Sequence, residues 1–352
     1  MIYINARFLT QELTGVQRFA EQICLELQKI RSDIIFLAPE HIARNDAAEK
    51  FNVKVIGRHS GHLWEQFDLP RFLRSEGSPL LINLGNTGPI FYKNQVVTQH
   101  DVTYRRYPQS YSWKFKLVYN LLVPSLLRRS KSIITVSNFS KSELTDIYQC
   151  DSSKVHVVYN SASDIFRSEK KSDNQEKYVL AVSSTNYHKN FHGLIREFTR
   201  LSRDIDVNLK IIGGAAKSFS NMDLNSYVGS DDRVEFVGRV TDEQLLSLYV
   251  NAMAFVFPSF YEGFGIPPLE AQACGCPVIS SNLASMPEVL GDSALYFNPE
   301  KDGEMTTALQ NVFENKLLRD KLIEKGYKNI AKYSWHSSAR KLSSIIDQLQ
   351  LS

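Results

Sequence analysis

Acidic side chains are missing from one long stretch of this sequence: between Val102 and Ser142 there is no Asp or Glu, although eight Lys or Arg residues occur there. The excess is local, because the whole chain carries a formal charge of only +3. So small a balance gives no reason to expect nucleic acid as a partner. Cysteine is scarce too, with only Cys24, Cys150, Cys274 and Cys276. Nothing in their spacing resembles a disulfide framework, and a reducing compartment is the default expectation. Cys274 and Cys276 flank a single glycine with no Cys/His cluster beside them, so they read as packing residues and no metal site is expected. A run of about twenty apolar residues, the length a membrane-spanning helix needs, is absent. The opening MIYINARFLT alternates like a strand and lacks a basic leader before an apolar core, so no secretory signal is expected. These absences favour a cytoplasmic protein, with the basic stretch left as a possible contact for an anionic membrane surface.

What is present is a repeated strand–helix alternation. The 352 residues are enough for two domains, and 43% apolar with 22% charged composition argues against global disorder. IYIN, DIIFLAP, VKVIG, PLLINLG, QVVTQHD, SIITVSN and KVHVVYN read as strands, with a helix over Thr14–Ile30 and another capped by Ser137 or Asn138. Ser161–Lys177 is polar, charged and poor in apolar residues, and is the best linker candidate. The alternation then restarts with YVLAVSS, VNLKIIGG, RVEFVG, MAFVFPS, CPVISSN and SALYFN, and Thr241 stands where a helix cap belongs. The pattern predicts an α/β protein with two parallel-sheet domains, 1–161 and 162–333. A closing helix over 334–352 carries Leu342, Ile345, Ile346 and Leu349 on one side. Ligands of such sheets sit beyond the carboxyl ends of the strands, so the cleft between the domains is the expected active site.

The densest chemistry lies in FYEGFGIPPLEAQACGCPVISSN, from Phe260 to Asn282. Glu262 should fall just past a buried strand, and Gly263 and Gly265 let the loop turn tightly. Pro267 and Pro268 are tolerated only in a first helical turn, so a helix should begin there with Glu270 in its first or second turn. Unpaired amides at that end favour an anion, while the two carboxylates suit hydroxyls, a combination that fits a sugar nucleotide. Read without that ligand, Glu262 is a loop carboxylate and Glu270 complements the helix dipole at the surface.

The segment from Pro258 to Pro299 resembles the signature of retaining glycosyltransferases of family 4, and its Glu262 and Glu270 match that family's Glu-x7-Glu motif. The resemblance covers most of the chain and is densest from Tyr178 to Pro299. It implies the GT-B fold: two Rossmann-like domains facing a central cleft, the last helix crossing back to the first domain. It further implies that Glu270 holds the ribose hydroxyls, that Glu262 lies near the transferred sugar, and that Gly263, Phe264, Gly265 and Ile266 offer backbone contacts to sugar and phosphate. AVSSTNYHKNFHGL resembles the loop that grips the donor diphosphate, with Lys189 as its lysine. The family's arginine is replaced by Ser184, which leaves Ser183, Ser184 or His188 to meet the second phosphate charge. Gly213 ends a strand either as a simple turn or as a close approach to the donor. Arg239 falls in a loop that contacts the nucleobase in the family. Gly15 matches its glycine loop and His100, followed by Asp101, its active-site histidine. Asn160 stands where the family's chain changes domain.

Taken with these residues, the resemblance implies transfer of a sugar from a nucleoside diphosphate to an acceptor hydroxyl, with the anomeric configuration retained. No cofactor or metal is expected, since Lys189 and helix-end amides can meet the phosphate charge. The overall pattern is similar to that of bacterial enzymes of surface polysaccharide assembly using GDP-mannose or a related donor, with a glycan or lipid-diphosphate-linked acceptor. Two other readings stay open at this point: a sugar-nucleotide epimerase of similar fold, and a non-catalytic binding subunit.

Overall fold

The computed structural model describes residues 1–171, 176–214, 224–229 and 231–351. Part of the expected linker, 172–175, lies outside these residues. Contacts divide the chain into a first unit of Met1–Val102, Leu117–Asn160 and Ser334–Ser352, and a second of Thr103–Lys116 and Ser161–Tyr333. The segment Thr103–Lys116 therefore lies inside the first unit in sequence but belongs to the second in space.

The first unit is built on seven parallel strands: β1 (Ile2–Asn5), β2 (Ile34–Ala38), β3 (Val53–Val55), β4 (Leu80–Asn83), β5 (Gln95–Thr98), β6 (Ser132–Thr135) and β7 (Val155–Val157). Their order is β3-β2-β1-β4-β5-β6-β7. β1, β4, β5 and β6 are buried along their whole length, which is why they read as unbroken rather than alternating runs. The helix Gly15–Ile30 turns Phe19, Ala20, Ile23 and Leu27 inward. The last helix, Trp335–Leu351, packs against it: Trp335 meets Phe19 edge-on at 6.0 Å, and Arg31 reaches Ser343 Oγ at 2.9 Å. Leu342, Ile345 and Ile346 are its buried stripe. This is the helix that crosses back, as the fold requires.

The second unit repeats the plan with β8 (Tyr178–Val182), β9 (Asn208–Ile212), β10 (Val234–Gly238), β11 (Ala254–Phe257), β12 (Val278–Ser281) and β13 (Ala294–Phe297), in the order β10-β9-β8-β11-β12-β13. All its pairings are parallel. Each sheet thus grows outward in both directions from an inner pair, β1/β4 and β8/β11. Those pairs are topological switch points, where connections leave to opposite faces and open a crevice at the carboxyl ends. The two-domain Rossmann-like α/β architecture expected from the sequence is the one observed. Local signals also act as read: Ser137 caps the helix Asn138–Tyr148 by accepting from Ser140 N, and Thr241 with Gln244 forms a complete capping box.

The helix Trp113–Arg129 runs on through Pro124 and buries Val123, Leu126 and Leu127 in its second half. Its first half faces solvent with Trp113 67%, Leu117 54% and Leu121 66% exposed. Among the described residues no helix is long and apolar enough to cross a membrane.

Candidate functional site

The switch point of the second sheet determines which loops meet. β8 runs into Ser183–Lys189 and β11 into Pro258–Glu262. Two backbone-anchored bonds stitch these loops together, Phe260 N donating to His188 O at 2.8 Å and Asn190 Nδ2 to Pro258 O at 3.1 Å, and within the second loop Ser259 Oγ donates to Glu262 Oε1 at 2.8 Å. Asn190 sits in the left-handed region at φ 58, which asparagine tolerates better than most residues, and so starts the helix Phe191–Thr199 abruptly after Lys189. The result is a close ion pair, with Lys189 Nζ 2.7 and 2.8 Å from the two Glu262 oxygens. The two side chains are 16% and 11% exposed, so the pair is desolvated on most sides and open on one.

Glu262 is held from its backbone as well. Ser285 Oγ donates to Glu262 O at 2.9 Å and lies 3.3 Å from Phe264 O. Phe264 is buried and packs edge-on against Tyr333 at 5.5 Å. Gly265, at φ 88, is the N-cap of the helix Ile266–Ala273. A side chain there would drive into Met286 and Phe257, so glycine is required both by conformation and by space. Pro267 and Pro268 occupy the first turn, as expected, with a consequence the sequence reading did not draw: two positions that would offer orphan amides have none. The donors left at this helix end are those of Gly265 and Ile266, because the Leu269 amide closes the first helical turn.

Glu270 lies one turn further in and is buried, its Oε2 accepting from Tyr249 Oη at 3.2 Å. Burial, with Glu270 beside it, pushes the Tyr249 hydroxyl well above its usual range, so Tyr249 is a donor at any working pH. Across the same edge, Ser183 N donates to Ile212 O at 3.1 Å and Gly213 N to Gly238 O at 2.9 Å, joining the ends of β8, β9 and β10. A Cβ on Gly213 would collide with the Ser183 carbonyl, and Gly213 has φ 137. Here the backbone approach is to the protein's own neighbouring strand. Arg239 folds over Gly214, and Ser184 accepts from Asn186 Nδ2 at 2.8 Å. Asn186 is itself buried, and its Oδ1 finds no hydrogen-bond partner among the described residues.

In the first unit, His100 follows β5 and is 6% exposed. Its Nε2 lies 3.1 Å from Leu84 O, a pure acceptor, so Nε2 carries the proton and a neutral ring keeps its lone pair on Nδ1. Burial lowers its pKa, which favours that neutral form. Phe19 stands edge-on to the ring at 4.8 Å. The helix that begins at Gly15 therefore packs on His100 through its second turn. Gly15 itself is exposed, with open space where a Cβ would be. Nothing in the protein demands glycine there.

Of the residues singled out from the sequence, the structure brings Lys189 and Glu262 into direct contact, sets Gly263 to Ile266 and Glu270 on the same loop and helix, and places Ser183, Ser184, Gly213 and Arg239 along the adjoining strand ends. Gly15 and His100 belong to the other unit. The sequence reading missed Ser259, Ser285, Tyr249 and Asn190, which hold the carboxylates and the lysine in place; all are ordinary residue types, and all but Ser259 act through contacts distant in sequence. Chemically, a cation, helix-end amides and a buried carboxylate at a switch point suit a ligand with an anionic group and hydroxyls.

Comparison with known proteins adds an independent line. Residues 162–329 match the family model described as Glycosyl transferases group 1, and residues 13–163 match Glycosyltransferase Family 4. The O-antigen chain mannosyltransferase RfbU of Salmonella typhimurium is 36% identical over 225 residues, 62% of this chain and 61% of that protein. The match therefore spans less than two thirds of that relative. O-antigen chain mannosyltransferase B of Escherichia coli is 29% identical over 71% of this chain and 70% of its own length. Among solved structures, WaaG, a glycosyltransferase involved in lipopolysaccharide biosynthesis, aligns with a TM-score of 0.74 at 14% identity over 98% of this chain and 99% of that one. Sucrose-phosphate synthase from Thermosynechococcus elongatus gives 0.77 at 16% identity over 99% and 98%. These two likenesses concern the fold.

Proposed function

Since this chain belongs to glycosyltransferase family 4, we propose that it moves a mannosyl or related hexosyl group from a nucleoside-diphosphate sugar, GDP-mannose being favoured, to a hydroxyl of a glycan or lipid-linked acceptor in O-antigen or related polysaccharide assembly. The observation that carries the reading is the Lys189–Glu262 pair at the β8/β11 switch point, with Glu270 buried beside it. The preference for mannose rests on the two mannosyltransferase relatives.

In the reaction the bond between the anomeric carbon and the diphosphate oxygen breaks, and the acceptor oxygen bonds to that carbon on the face the diphosphate leaves. The acceptor proton passes to the departing phosphate oxygen, which gives retention without a protein nucleophile. The protein supplies position and charge. Donor binding draws Lys189 Nζ toward the diphosphate, where negative charge grows as the bond breaks. Glu262 then exchanges its cation for hydroxyls of the sugar, while Ser259 and Ser285 keep it aimed. Glu270 accepts from the ribose hydroxyls. The amides of Gly265 and Ile266 meet the phosphate oxygens, and Ser183, Ser184 and Asn186 Oδ1 line the side where the family has an arginine. His100, neutral and fixed by Leu84 O, serves the acceptor side. No metal is required in this scheme.

The membrane is the proposed setting. The exposed apolar stripe of Trp113, Leu117 and Leu121 lies on the acid-free segment, with Lys114 beside it and Arg128 and Arg129 at its far end. That combination suits peripheral contact with anionic headgroups at the cytoplasmic face.

A donor screen tests the enzymatic reading. Purified protein is incubated with GDP-mannose, other GDP-, UDP- and dTDP-sugars, with and without lipid-linked acceptor, and the free nucleotides are screened by thermal shift. Acceptor-dependent release of GDP supports it. Donor conversion without any acceptor, or no stabilisation by any nucleoside diphosphate, overturns it.

A further inference from the structure

The segment Thr103–Lys116 makes its contacts within the second unit, directly against the loop that carries Lys189. Ser110 is fully buried there. Its Oγ lies 3.3 Å from His188 N and 2.9 Å from His188 Nδ1. An oxygen that accepts the backbone N–H has its own proton to give, so the geometry fits Ser110 donating to an unprotonated Nδ1. His188 is buried among Tyr107, at 6.3 Å, and Tyr111, whose ring lies parallel to the imidazole at 6.2 Å. Burial, with Lys189 as neighbour, keeps its pKa well below the usual range, consistent with a neutral acceptor. Tyr107 also stacks on Phe260 at 6.2 Å, with ring planes 4° apart.

These contacts fix both ends of one residue. The His188 N–H is tied to Ser110, and its carbonyl accepts from Phe260 N on the Glu262 loop. On the other side of Lys189, Asn190 is tied to Pro258 O. The lysine backbone is thus clamped between two fixed neighbours, and one clamp is supplied by a segment of distant sequence. We propose that Ser110, backed by Tyr107 and Tyr111, is a positioning residue that acts through His188 to hold Lys189 and Glu262 in the geometry used in transfer. The inference rests on the proposed glycosyl transfer and adds a residue that does not touch substrate.

Position matters most for a charge that must meet a transition state rather than bind a ground state. Ser110→Ala should lower kcat about ten-fold or more at saturating donor while leaving donor KM nearly unchanged. Ser110→Thr, which keeps the hydroxyl, should restore most of it. Because the effect runs through Lys189, Ser110→Ala should cost nothing further in a Lys189→Ala background. Hydrogen exchange gives a readout free of activity: Ser110→Ala should accelerate exchange at 187–190 and 259–262 and leave the sheet core unchanged. If exchange in those loops is unaltered, or the rate losses of the two substitutions multiply, the positioning role is wrong. If the wild-type protein transfers no sugar at all, the enzymatic reading fails, and the exchange result alone decides whether Ser110 clamps the loop.

Discussion

Both units bury an ion pair near the carboxyl end of an inner strand, and the two pairs are finished in opposite ways. In the first unit Arg7 Nε meets Glu65 Oε1 at 3.2 Å, and Glu65 is 1% exposed. Asn5 Nδ2 and Thr87 Oγ1 donate to that same oxygen at 2.9 and 3.1 Å, and His62 approaches Oε2 at 3.3 Å. Arg7 Nη2 in turn donates to Thr87 Oγ1 at 2.7 Å, while Asn5 is joined to Asn83 and Asn83 to Gln95. Every member has partners, and the network locks β1, β4 and the helix around Glu65 together. In the second unit, the Lys189 ammonium is held among the described residues by Glu262, and the pair keeps one side open to solvent. A saturated buried network rigidifies; a pair with an open side can trade partners for a ligand. The first pair is closed by the fold, and the second is left able to accept a ligand.

That contrast is sharpest under substitution. Arg7→Met should destabilise by about 3–5 kcal/mol, because Glu65 is left buried without its cation. Denaturant midpoints would show it, and a loss within error would mean the network is not what holds the first unit. The same carboxyl gives a pH signature. Burial would push Glu65 up, but Arg7, His62 and Asn5 overcome it and hold it at about 2. Its folded value lies below its unfolded one, so its stabilisation is complete above the ordinary carboxylate range and is lost as pH falls toward 2, roughly 3 kcal/mol in all. The stability gap between wild type and Glu65→Gln should narrow steadily from pH 5 to pH 3.

Lys189→Ala should behave in the reverse sense. Turnover with saturating donor should fall by about 3 kcal/mol in barrier, since a preorganised cation at a leaving group is removed. The melting temperature should move little, because Glu262 retains Ser259 and can be hydrated from its open side. Near-normal turnover would transfer the role to another group. Smaller again is Glu270→Ala. Loss of the acceptor for a buried pair of ribose hydroxyls should weaken binding of the free nucleoside diphosphate by about 1–3 kcal/mol. Unchanged affinity by calorimetry would remove Glu270 from the site.

How far these features could be read from sequence follows from where their determinants lie. All the strands expected from sequence are present; the central ones are buried on both faces and so are apolar runs whatever their partners, while the edge strands β3 and β10 are not buried and were found by their β-branched residues. Thr241 and Ser137 were legible because a cap acts three residues away. The helical stretch from Gly61 to Ser75 was not read at all. It contains a π-type turn over Trp64–Asp68 just before Pro70, and a proline that cannot donate breaks the period a helix is recognised by. Lys189 and Glu262 were each found by a local motif, yet nothing local says that they pair. Ser110 carried no signal, because its importance comes wholly from a histidine far along the chain.

The units differ also in what they leave outside. Met1, Leu63, Phe67, Phe91, Leu117, Leu121 and Leu351 of the first unit are each more than half exposed, while the second unit holds Trp113 and Leu317 in that class. The helix Trp113–Arg129 spans both, and its outer stripe places Trp113, Leu117 and Leu121 at successive i, i+4 positions. On the same acid-free segment Arg105, Arg106 and Lys114 are exposed, and no carboxylate interrupts it. An apolar stripe flanked by cations binds a lipid surface through two separable terms. The charge term, about 1 kcal/mol per basic residue near an anionic surface, falls with salt; the buried apolar area does not. Vesicle co-sedimentation at low and high salt, with anionic and neutral lipid, separates them. Charge reversal at Arg105, Arg106, Lys114 and Lys116 should abolish the salt-sensitive part and leave nucleotide binding intact. Trp113→Ser with Leu121→Ser should remove the part that survives salt. If the wild-type protein ignores anionic vesicles at low salt, the stripe faces something other than a membrane, and the acid-free segment is left with only the Ser110 clamp as its function.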